Sequence, residues 1–430
     1  MSTELRLDLP LRTDFGVDGT TGLLIAQPGL SVNEVPLRVL RGDRLCPRRS
    51  GLRYRLYFYD DEVDPKLIYT YCYSPDGNWA SFTPETGMED WREGETLIQK
   101  NGYVRLVFPT EGSDDCLDAF FCLHHTAREL PEPSWIAQEA RRLSERVCAA
   151  KLPEGLRFFL LADTHCCVGG NWDDTLCSLR ESAALIQPEL LVHLGDLTDG
   201  IGSLRQTKHL ASRVLDGLRS LGRPVYLCLG NHDENYFRGN PEQMEKRESA
   251  AWYLGREKPY YHVDLKAHRL RLYFLDSFDA QQKERYGFSR LEAVWFFFSL
   301  CRLPDSWRVL VFSHVPPLPR LHVWSKDIRL GRVMLRCLEH VAAKGKNPVL
   351  GWIHGHNHAD QVSVFGRIPI ISIGCSKLES FPEHKPEGAV TPSRKCGCPE
   401  QELWDTVLIP DHEDRLYLFR YGAGEDRCIP

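Results

Sequence analysis

From residue 156 onward the chain alternates apolar segments of strand length with helical stretches, and this alternation most restricts the possible fold. The helical stretches include residues 175–186, 203–221 and 331–343. Alternation of this kind is typical of a layered α/β domain with buried strands. The apolar strands are predicted at residues 156–162, 190–194, 225–229, 270–275, 309–312 and 349–353, and two later strands at 406–409 and 415–420.

The first 130 residues have a different pattern, in which short aromatic or β-branched runs follow one another. Turn signals such as the Pro-Asp-Gly-Asn run at 75–78 separate them. Many short strands at this spacing favour an all-β sandwich or jelly roll. The runs are at residues 53–59, 67–73, 103–108 and 119–123.

A proline-rich break at 131–133 separates the two patterns, and Ser134 is a candidate N-cap for a helix over 135–150. We predict an N-terminal β-sandwich domain at 1–130 and a linker helix within 131–154. The α/β domain then spans 155–430, with a C-terminal β segment at 403–427. The predicted fold class is a layered β-sheet sandwich flanked by helices, preceded by an all-β domain.

Composition narrows the class of protein. The formal net charge is −6, from 53 basic and 59 acidic residues, which argues against nucleic-acid binding through bulk positive charge. The strongest apolar run, 293–301, is far shorter than the roughly 20 residues of a membrane span. Charged residues occupy the N-terminus, where a signal peptide would be apolar, so we expect reduced thiols for the 15 cysteines and a cytoplasmic protein.

The strongest functional signal follows five of the predicted strands, because each ends in histidine, aspartate or asparagine. In open α/β sheets ligands bind beyond the carboxyl ends of strands, so these side chains are expected to share one crevice. Glycines beside three of them permit tight turns and close backbone approach. The candidate residues are Asp163, His165, Asp196, Asn231, His314, His356 and His358.

These seven side chains form an inventory of metal ligands. Imidazole, carboxylate and amide oxygen without thiolate suit a first-row or borderline dication. Seven ligands are too many for one tetrahedral ion, but they fit two ions that share a bridging carboxylate. Two ions about 3.5–4 Å apart form the clamp used for displacement at phosphorus. The predicted cofactor is therefore a pair of divalent ions, Mn, Fe, Zn or Mg.

The same residues resemble the five-block signature of the calcineurin-like metallophosphoesterases: D-x-H, G-D, G-N-H-D/E, a single H, and G-H-x-H. All five blocks occur in order between Asp163 and His358. The resemblance implies a pair of β-sheets flanked by helices, with the site at the sheet edge. It also implies a first metal held by Asp163, His165 and His358, a second held by Asn231, His314 and His356, and a bridge at Asp196. His232 is implied as the catalytic histidine, and Asp233 as the residue that orients it.

The predicted function is hydrolysis of a phosphate mono- or diester of a small molecule, by attack of a metal-bridging hydroxide. One alternative is a catalytically silent scaffold that binds partners through the β domain. Another is a phosphoesterase acting on nucleic acid, against which the acidic balance argues. The natural substrate and the oligomeric state are not encoded in the ligand pattern.

Weaker signals leave two interpretations open. His354 would share a strand face with His356, as a partner of the ligands or as a local variation. Cys166 and Cys167 follow His165 and would be either buried filler or oxidation-sensitive thiols.

The Arg-Tyr-Gly-Ala-Gly-Glu-Asp-Arg segment at 420–427 resembles a C-terminal motif of a bacterial subset of the family. It would be either a turn locked by an arginine–carboxylate pair or a phosphate contact. The many tyrosines and tryptophans of the N-terminal domain would either pack its core or stack on a partner.

Overall fold

The computed structural model divides the chain into two compact units. One consists of Met1–Pro131 with Ile201–Leu210, and the other of Glu132–Gly200 with Ala211–Pro430. The strand expected at 67–73 and the turn at 75–78 lie outside the described residues. The structure describes residues 2–18, 24–60, 91–98, 102–110, 114–126, 133–167, 170–237, 240–322, 327–378, 385–395 and 397–430.

The first unit contains nine described strands in two antiparallel sheets. One sheet has the order β1-β9-β5-β7, and the other has β2-β3-β8-β4 with β6 paired to β8. The strands are β1 (Ser2–Leu5), β2 (Leu11–Val17), β3 (Leu24–Asn33), β4 (Leu37–Val39), β5 (Arg44–Pro47), β6 (Arg55–Asp60), β7 (Thr96–Leu97), β8 (Gly102–Pro109) and β9 (Phe121–Thr126).

Aromatic side chains join these two sheets into a sandwich. The ring of Phe108 on β8 lies 5.3 Å from that of Phe121 on β9, and Tyr54 contacts Phe121 at 5.1 Å. Tyr57 and Tyr59 of β6 are also buried. The expectation of an all-β sandwich is confirmed, and for these tyrosines the core interpretation is confirmed as well.

The second unit contains twelve described strands, β10 to β21, and the described part of the chain forms six α-helices. The strands are β10 (Gly155–Leu161), β11 (Leu190–His193), β12 (Val225–Leu227), β13 (Tyr261–Leu265), β14 (Leu270–Phe274), β15 (Arg308–Ser313), β16 (Val349–His354), β17 (Gln361–Phe365), β18 (Ile368–Ser372), β19 (Leu403–Pro410), β20 (Leu416–Gly422) and β21 (Arg427–Ile429). The helices are α1 (Ser134–Ala149), α2 (Trp172–Ile186), α3 (Leu204–Arg219), α4 (Lys246–Leu254), α5 (Arg290–Cys301) and α6 (Gly331–Ala343).

Two six-stranded sheets pack face to face in this unit. Their orders are β12-β11-β10-β19-β20-β21 and β13-β14-β15-β16-β18-β17. The central pairs β10/β11, β11/β12, β14/β15, β15/β16 and β16/β18 are parallel. Buried leucine, isoleucine and phenylalanine side chains of both sheets form one apolar core, in which Phe158 and Phe312 meet at 6.2 Å.

Helices cover the outer faces of both sheets, as the predicted fold requires. Phe159 and Trp404 stand on the outer face of the first sheet, where the Trp404 Nε1 donates to Ser178 of α2. On the second sheet, Phe296 of α5 and Met334 of α6 pack into a second apolar cluster. The predicted layered α/β fold is therefore confirmed.

Helix α1 differs from its prediction at its first residue. It begins at Ser134 with Pro133 as its N-cap, so Ser134 is not the cap. The predicted linker helix also belongs to the second unit, in which Ile136 and Leu143 are fully buried and the Tyr421 hydroxyl donates to the Ile136 carbonyl. No helix of the described residues is long and apolar enough to cross a membrane.

Candidate metal centre

The loops that carry the predicted ligands follow the carboxyl ends of β10, β11, β12, β15 and β16. The first three strands are neighbours in one sheet and the last two are neighbours in the other, so their loops meet at one edge of the sandwich. Six of the seven predicted ligands are buried, and His358 is partly exposed. The structure brings all seven together.

The first predicted ligand set is compact. Ligand atoms of Asp163, His165 and His358 lie within 4.8 Å of one another. The two imidazole Nε2 atoms are 3.1 Å apart, and Asp163 Oδ1 lies 3.3 Å from the Nε2 of His358. Three donor atoms therefore converge on one point.

The second set is equally close. Ligand atoms of Asp196, His314 and His356 lie within 4.8 Å of one another. The His314 Nε2 is 3.0 Å from the Nδ1 of His356 and 3.2 Å from the amide oxygen of Asn231. The other ring nitrogen of His314 contacts the Leu194 carbonyl at 2.9 Å, which fixes the ring with Nε2 toward the site.

One carboxylate oxygen lies between the two sets. Asp196 Oδ2 is 3.8 Å from the Nε2 of His165 in the first set and 3.1 Å from the Nε2 of His314 in the second. The other oxygen of Asp196 accepts a hydrogen bond of 2.8 Å from the backbone N–H of His232. This geometry suits a carboxylate that bridges two ions.

The chemistry of the donor atoms fits cations. Asp163 Oδ1 is buried and has no hydrogen-bond partner, which is costly for a carboxylate unless a cation satisfies it. Burial lowers the pKa of His165 and of His356 well below the usual range, and neighbouring imidazoles lower both further. Neutral rings whose nitrogens face one another at about 3 Å present lone pairs, as metal ligands must.

Asp196 and His314 of the second set shift each other's pKa in opposite directions. Burial by itself raises the pKa of Asp196, but His314 and His232 lower it to about 2. Burial by itself lowers the pKa of His314, but Asp196 raises it to about 9.

The ligand loops have strained backbones. Of twelve described non-glycine residues with positive φ, five are predicted ligands. Left-handed backbone costs about 1–3 kcal/mol at such residues, so the surrounding structure must hold it in place. The five are Asp163 (φ 53°), His165 (39°), Asp196 (56°), His356 (69°) and His358 (51°).

Two glycines make room for ligand carboxylates, as expected from the sequence. A Cβ at Gly230 would lie 2.1 Å from Asp196 Oδ1, and a Cβ at Gly355 would lie 2.6 Å from Asp163 Oδ2. The backbone therefore approaches both carboxylates more closely than any side chain would permit.

The contacts of His232 differ from the expectation that Asp233 orients its ring. Its Nδ1 contacts the backbone carbonyl of Asp199 at 2.5 Å, not the carboxylate of Asp233. The Asp233 carboxylate instead accepts backbone N–H groups of Gly230, Asp196 and Leu197 at 2.8–3.0 Å. Asp233 thus ties the β11 and β12 loops together, and the carbonyl of Asp199 orients the histidine.

Two further groups around the site were not found from the sequence. The Asp199 carboxylate lies 3.1 Å from the Nδ1 of His165 and accepts hydrogen bonds of 2.9 and 3.2 Å from the buried Lys377. The aspartate belongs to the Gly-Asp-Leu-Thr-Asp-Gly run after β11, which was a usable signal, whereas Lys377 has none in its local sequence.

His322 is the second missed group. Its Nε2 lies 3.0 Å from the Nε2 of His356, and Tyr286 packs on both rings at 4.5 and 5.5 Å. Burial and neighbouring histidines lower the pKa of His322 to about 3, so its ring is neutral. The Nε2 of His322 can therefore accept a hydrogen bond from the Nε2–H of His356.

The weaker sequence signals at Cys166, Cys167 and His354 belong to buried residues. Cys166 and Cys167 are buried, and burial raises the pKa of Cys166 to about 12, which is the behaviour of packed, unreactive thiols. His354 is buried, and its Nδ1 contacts the Gly355 carbonyl at 3.0 Å.

The C-terminal motif forms an arginine–carboxylate cluster. The buried Arg420 donates to Asp405 at 2.9 and 3.2 Å and to Asp360 at 2.8 Å through both Nη atoms. Arg427 pairs with the same two aspartates at 2.8 and 3.0 Å. The locked-turn interpretation is confirmed, and the cluster holds Asp360, two residues beyond His358.

Comparison with known proteins found a matching family model and similar solved structures. Residues 156–360 match the family model for calcineurin-like phosphoesterases. A dimetal phosphatase from Danio rerio is 18% identical over 64% of this chain and 99% of that chain, with a TM-score of 0.47. The purple acid phosphatase PPD1 from yellow lupin is 12% identical over 99% of this chain and 74% of that chain, with a TM-score of 0.46. No curated protein matches the chain.

Proposed function

Residues 156–360 form a calcineurin-like phosphoesterase domain, and on that premise we propose that the protein hydrolyses a phosphate mono- or diester of a small molecule with two divalent ions. The observation that carries the proposal is the position of Asp196 Oδ2, 3.8 Å from one imidazole set and 3.1 Å from the other. A carboxylate so placed can serve two ions at once.

The proposed ligands divide as the family resemblance implies. Asp163, His165 and His358 hold one ion, and Asn231, His314 and His356 hold the other, with Asp196 shared. Oxygen and imidazole donors without thiolate favour Mn, Fe, Zn or Mg. When bound, the two ions would acidify a water molecule and neutralise charge on the phosphoryl oxygens.

His232 is the proposed catalytic acid. The Asp199 carbonyl contacts its Nδ1, so Nε2 is directed toward the proposed ion sites, 3.8 Å from Asp196 Oδ2, and the side chain is 17% exposed. Phe237 lies against the ring at 5.9 Å with an interplanar angle of 28°. In its protonated form the ring can donate the Nε2 proton to the leaving oxygen, a contribution of typically about 10²–10⁴-fold.

The proposal includes a reducing, cytoplasmic environment. Every cysteine of the described residues is free, and this supports the expectation of reduced thiols. The net charge of −6 supports a small phosphate ester rather than a nucleic acid as the substrate.

A metal and substrate screen tests the proposal. The protein, stripped with a chelator, is loaded in turn with Mn, Zn, Fe and Mg and assayed on 4-nitrophenyl phosphate and bis(4-nitrophenyl) phosphate. We expect turnover to require about two bound ions per chain at these ligands, and preference for one ester to assign the substrate class. Metal-loaded protein that is inert on both esters would favour the scaffold alternative.

A matched pair of variants provides the control for this screen. Asp196→Asn should abolish turnover, whereas Asp173→Asn, at an exposed surface aspartate paired with Arg213, should not change it. Equal activity in both variants would contradict a role for the bridging carboxylate.

A further inference from the structure

A second group of metal-binding side chains lies in the first unit, on one face of the sheet β1-β9-β5-β7. Cys46 of β5 and Cys122 of β9 are directly paired across the two strands. His124 follows Cys122 by two residues on β9, so its side chain leaves the same face of the sheet. Strand register alone therefore places two thiols and an imidazole together.

The distances between these groups are those of a metal site. The Cys122 Sγ lies 3.7 Å from the Nε2 of His124, and the two sulphurs and the imidazole nitrogen all lie within 4.8 Å of one another. The Cys46 Sγ also lies 3.6 Å from Oε2 of Glu95, just before β7. Sulphur at about 2.3 Å and nitrogen at about 2.0 Å from a tetrahedral ion would stand roughly 3.5–3.8 Å apart.

We propose that Cys46, Cys122 and His124 bind one thiophilic dication, zinc by preference, with Glu95 as the fourth ligand. Two thiolates, an imidazole and a carboxylate complete a closed tetrahedral set, which is typical of a structural rather than a catalytic zinc site. This inference does not depend on the phosphoesterase proposal, because it uses different residues and different chemistry.

The surroundings of the cluster suit this role. Glu95 Oε1 accepts a hydrogen bond of 2.7 Å from Arg44, which orients the carboxylate and leaves Oε2 toward Cys46. Burial and Glu95 raise the pKa of Cys46 to about 11, and burial raises the pKa of Cys122. Zinc binds the thiolate forms, so binding would displace the two thiol protons into solvent, and the dication would balance the negative charge left on the two sulphurs.

The bound ion would tie three chain segments together at one end of the sheet. Strand β7 is only two residues long and β5 only four, so few backbone hydrogen bonds hold them. A tetrahedral ion linking β9, β5 and the residue before β7 would replace the hydrogen bonds that such short strands cannot make.

Cobalt spectroscopy tests this site without a variant. Chelator-stripped, reduced full-length protein is titrated with cobalt alone, because thiolate ligands give Co²⁺ a sulphur-to-metal charge-transfer band in the near ultraviolet. The proposed phosphoesterase ligands include no thiolate, so they contribute nothing to that band. We expect a band that saturates at one Co²⁺ per chain, and its absence in fully reduced protein would overturn the proposal.

Variants then assign the band to residues. Cys46→Ser and His124→Gln should each remove or shift it and lower the zinc content of zinc-loaded protein by one ion per chain. The control Cys116→Ser, at a partly buried cysteine of the same unit, should leave both unchanged. A band that is unchanged in Cys46→Ser, or a Cys46–Cys122 disulfide found by peptide mass spectrometry in protein purified without oxidant, would overturn the site.

Discussion

The two clusters of metal-binding side chains are built on different backbones. In the second unit, five of the seven proposed ligands have left-handed φ and stand on loops beyond strand ends. In the first unit, Cys46, Cys122 and His124 stand within regular paired strands and none has positive φ. One cluster is held by loops under strain, and the other by register alone.

This difference explains what each cluster can do. Strained loops can direct ligands of several strands to one point and leave room for a substrate, but their geometry depends on remote anchors such as Asp233. A sheet face presents ligands without strain, and with Glu95 as its fourth ligand the proposed site would leave no open position for a substrate. We therefore expect the loop cluster to be sensitive to its anchors and the sheet cluster to be sensitive only to its own ligands.

The largest effect is expected for Asp196→Asn. Removal of the shared charge should weaken both ion sites and cost several kcal/mol of transition-state stabilisation, about 10³-fold or more in turnover. Metal content by mass spectrometry and turnover on an aryl phosphate measure it. A variant that keeps two tightly bound ions and full activity would show that the two sets do not share this carboxylate.

His232→Ala should lower turnover by about 10²–10⁴-fold while the bound ions remain, because the ring donates a proton and is not itself a proposed ligand. The deficit should shrink for leaving groups of low pKa, such as nitrophenolate, which need no proton. His340→Ala, at an exposed histidine of α6, is the control. Loss of an ion, or an equal deficit for good and poor leaving groups, would contradict the acid role.

The variant Asp233→Asn distinguishes two roles of this carboxylate: holding the β11 and β12 loops together, or orienting the ring of His232. The carboxylate accepts three backbone N–H groups, and a hydrogen bond to a charged group contributes about 1.5–3 kcal/mol. Because an amide has one acceptor oxygen fewer, the variant should lower the free energy of unfolding by about that amount and weaken metal binding. Urea unfolding and metal titration measure these effects. Lower turnover with unchanged stability and affinity would instead restore the orienting role.

His322→Phe should weaken binding of the second ion by about 10–100-fold, the usual cost of removing a hydrogen-bond partner of a metal-bound histidine. His322→Gln keeps an acceptor for the outer nitrogen of His356 and should recover most of the affinity. Metal titration of both variants, read without substrate, distinguishes this positioning role from simple packing. Equal affinities for the two variants would leave packing as the explanation.

The sequence predicted the fold class and brought together all seven proposed ligands because both are local patterns. A ligand that directly follows an apolar strand needs no knowledge of distant parts of the chain. Helix α5 was seen only as an apolar run, because exposed positions such as Leu291 and Phe298 are as apolar as the buried ones. Ser289 and Glu292 nevertheless form a capping box that marks its start. The hairpin β17–β18, with Gly366 at its turn, was also missed.

What the sequence could not predict depends on tertiary structure. Lys377 and His322 reach the centre from loops whose courses are set by packing, and neither has a spacing signature. Cys46 and Cys122 are 76 residues apart, and only the pairing of β5 with β9 brings them together. A short sequence motif does not encode the pairing of strands that lie far apart in the chain, whereas it does encode the ligand spacing of a zinc finger.

The smallest effect on turnover is expected at the sheet cluster. Cys46→Ser should change hydrolysis of an aryl phosphate by less than about twofold, because a closed site offers no position for a substrate. Its effect should appear in stability instead. In the Asp196→Asn background, zinc at about 100 times its dissociation constant should raise the unfolding free energy of the parent protein by about 2.7 kcal/mol and that of Cys46→Ser much less. Urea unfolding with and without zinc, followed by circular dichroism in the Asp196→Asn background so that the other centre contributes little, measures the difference. Equal zinc stabilisation of Cys46→Ser and its parent would mean that the sheet cluster holds no ion. The chain would then have metal ligands only on strained loops, and none on a regular sheet face.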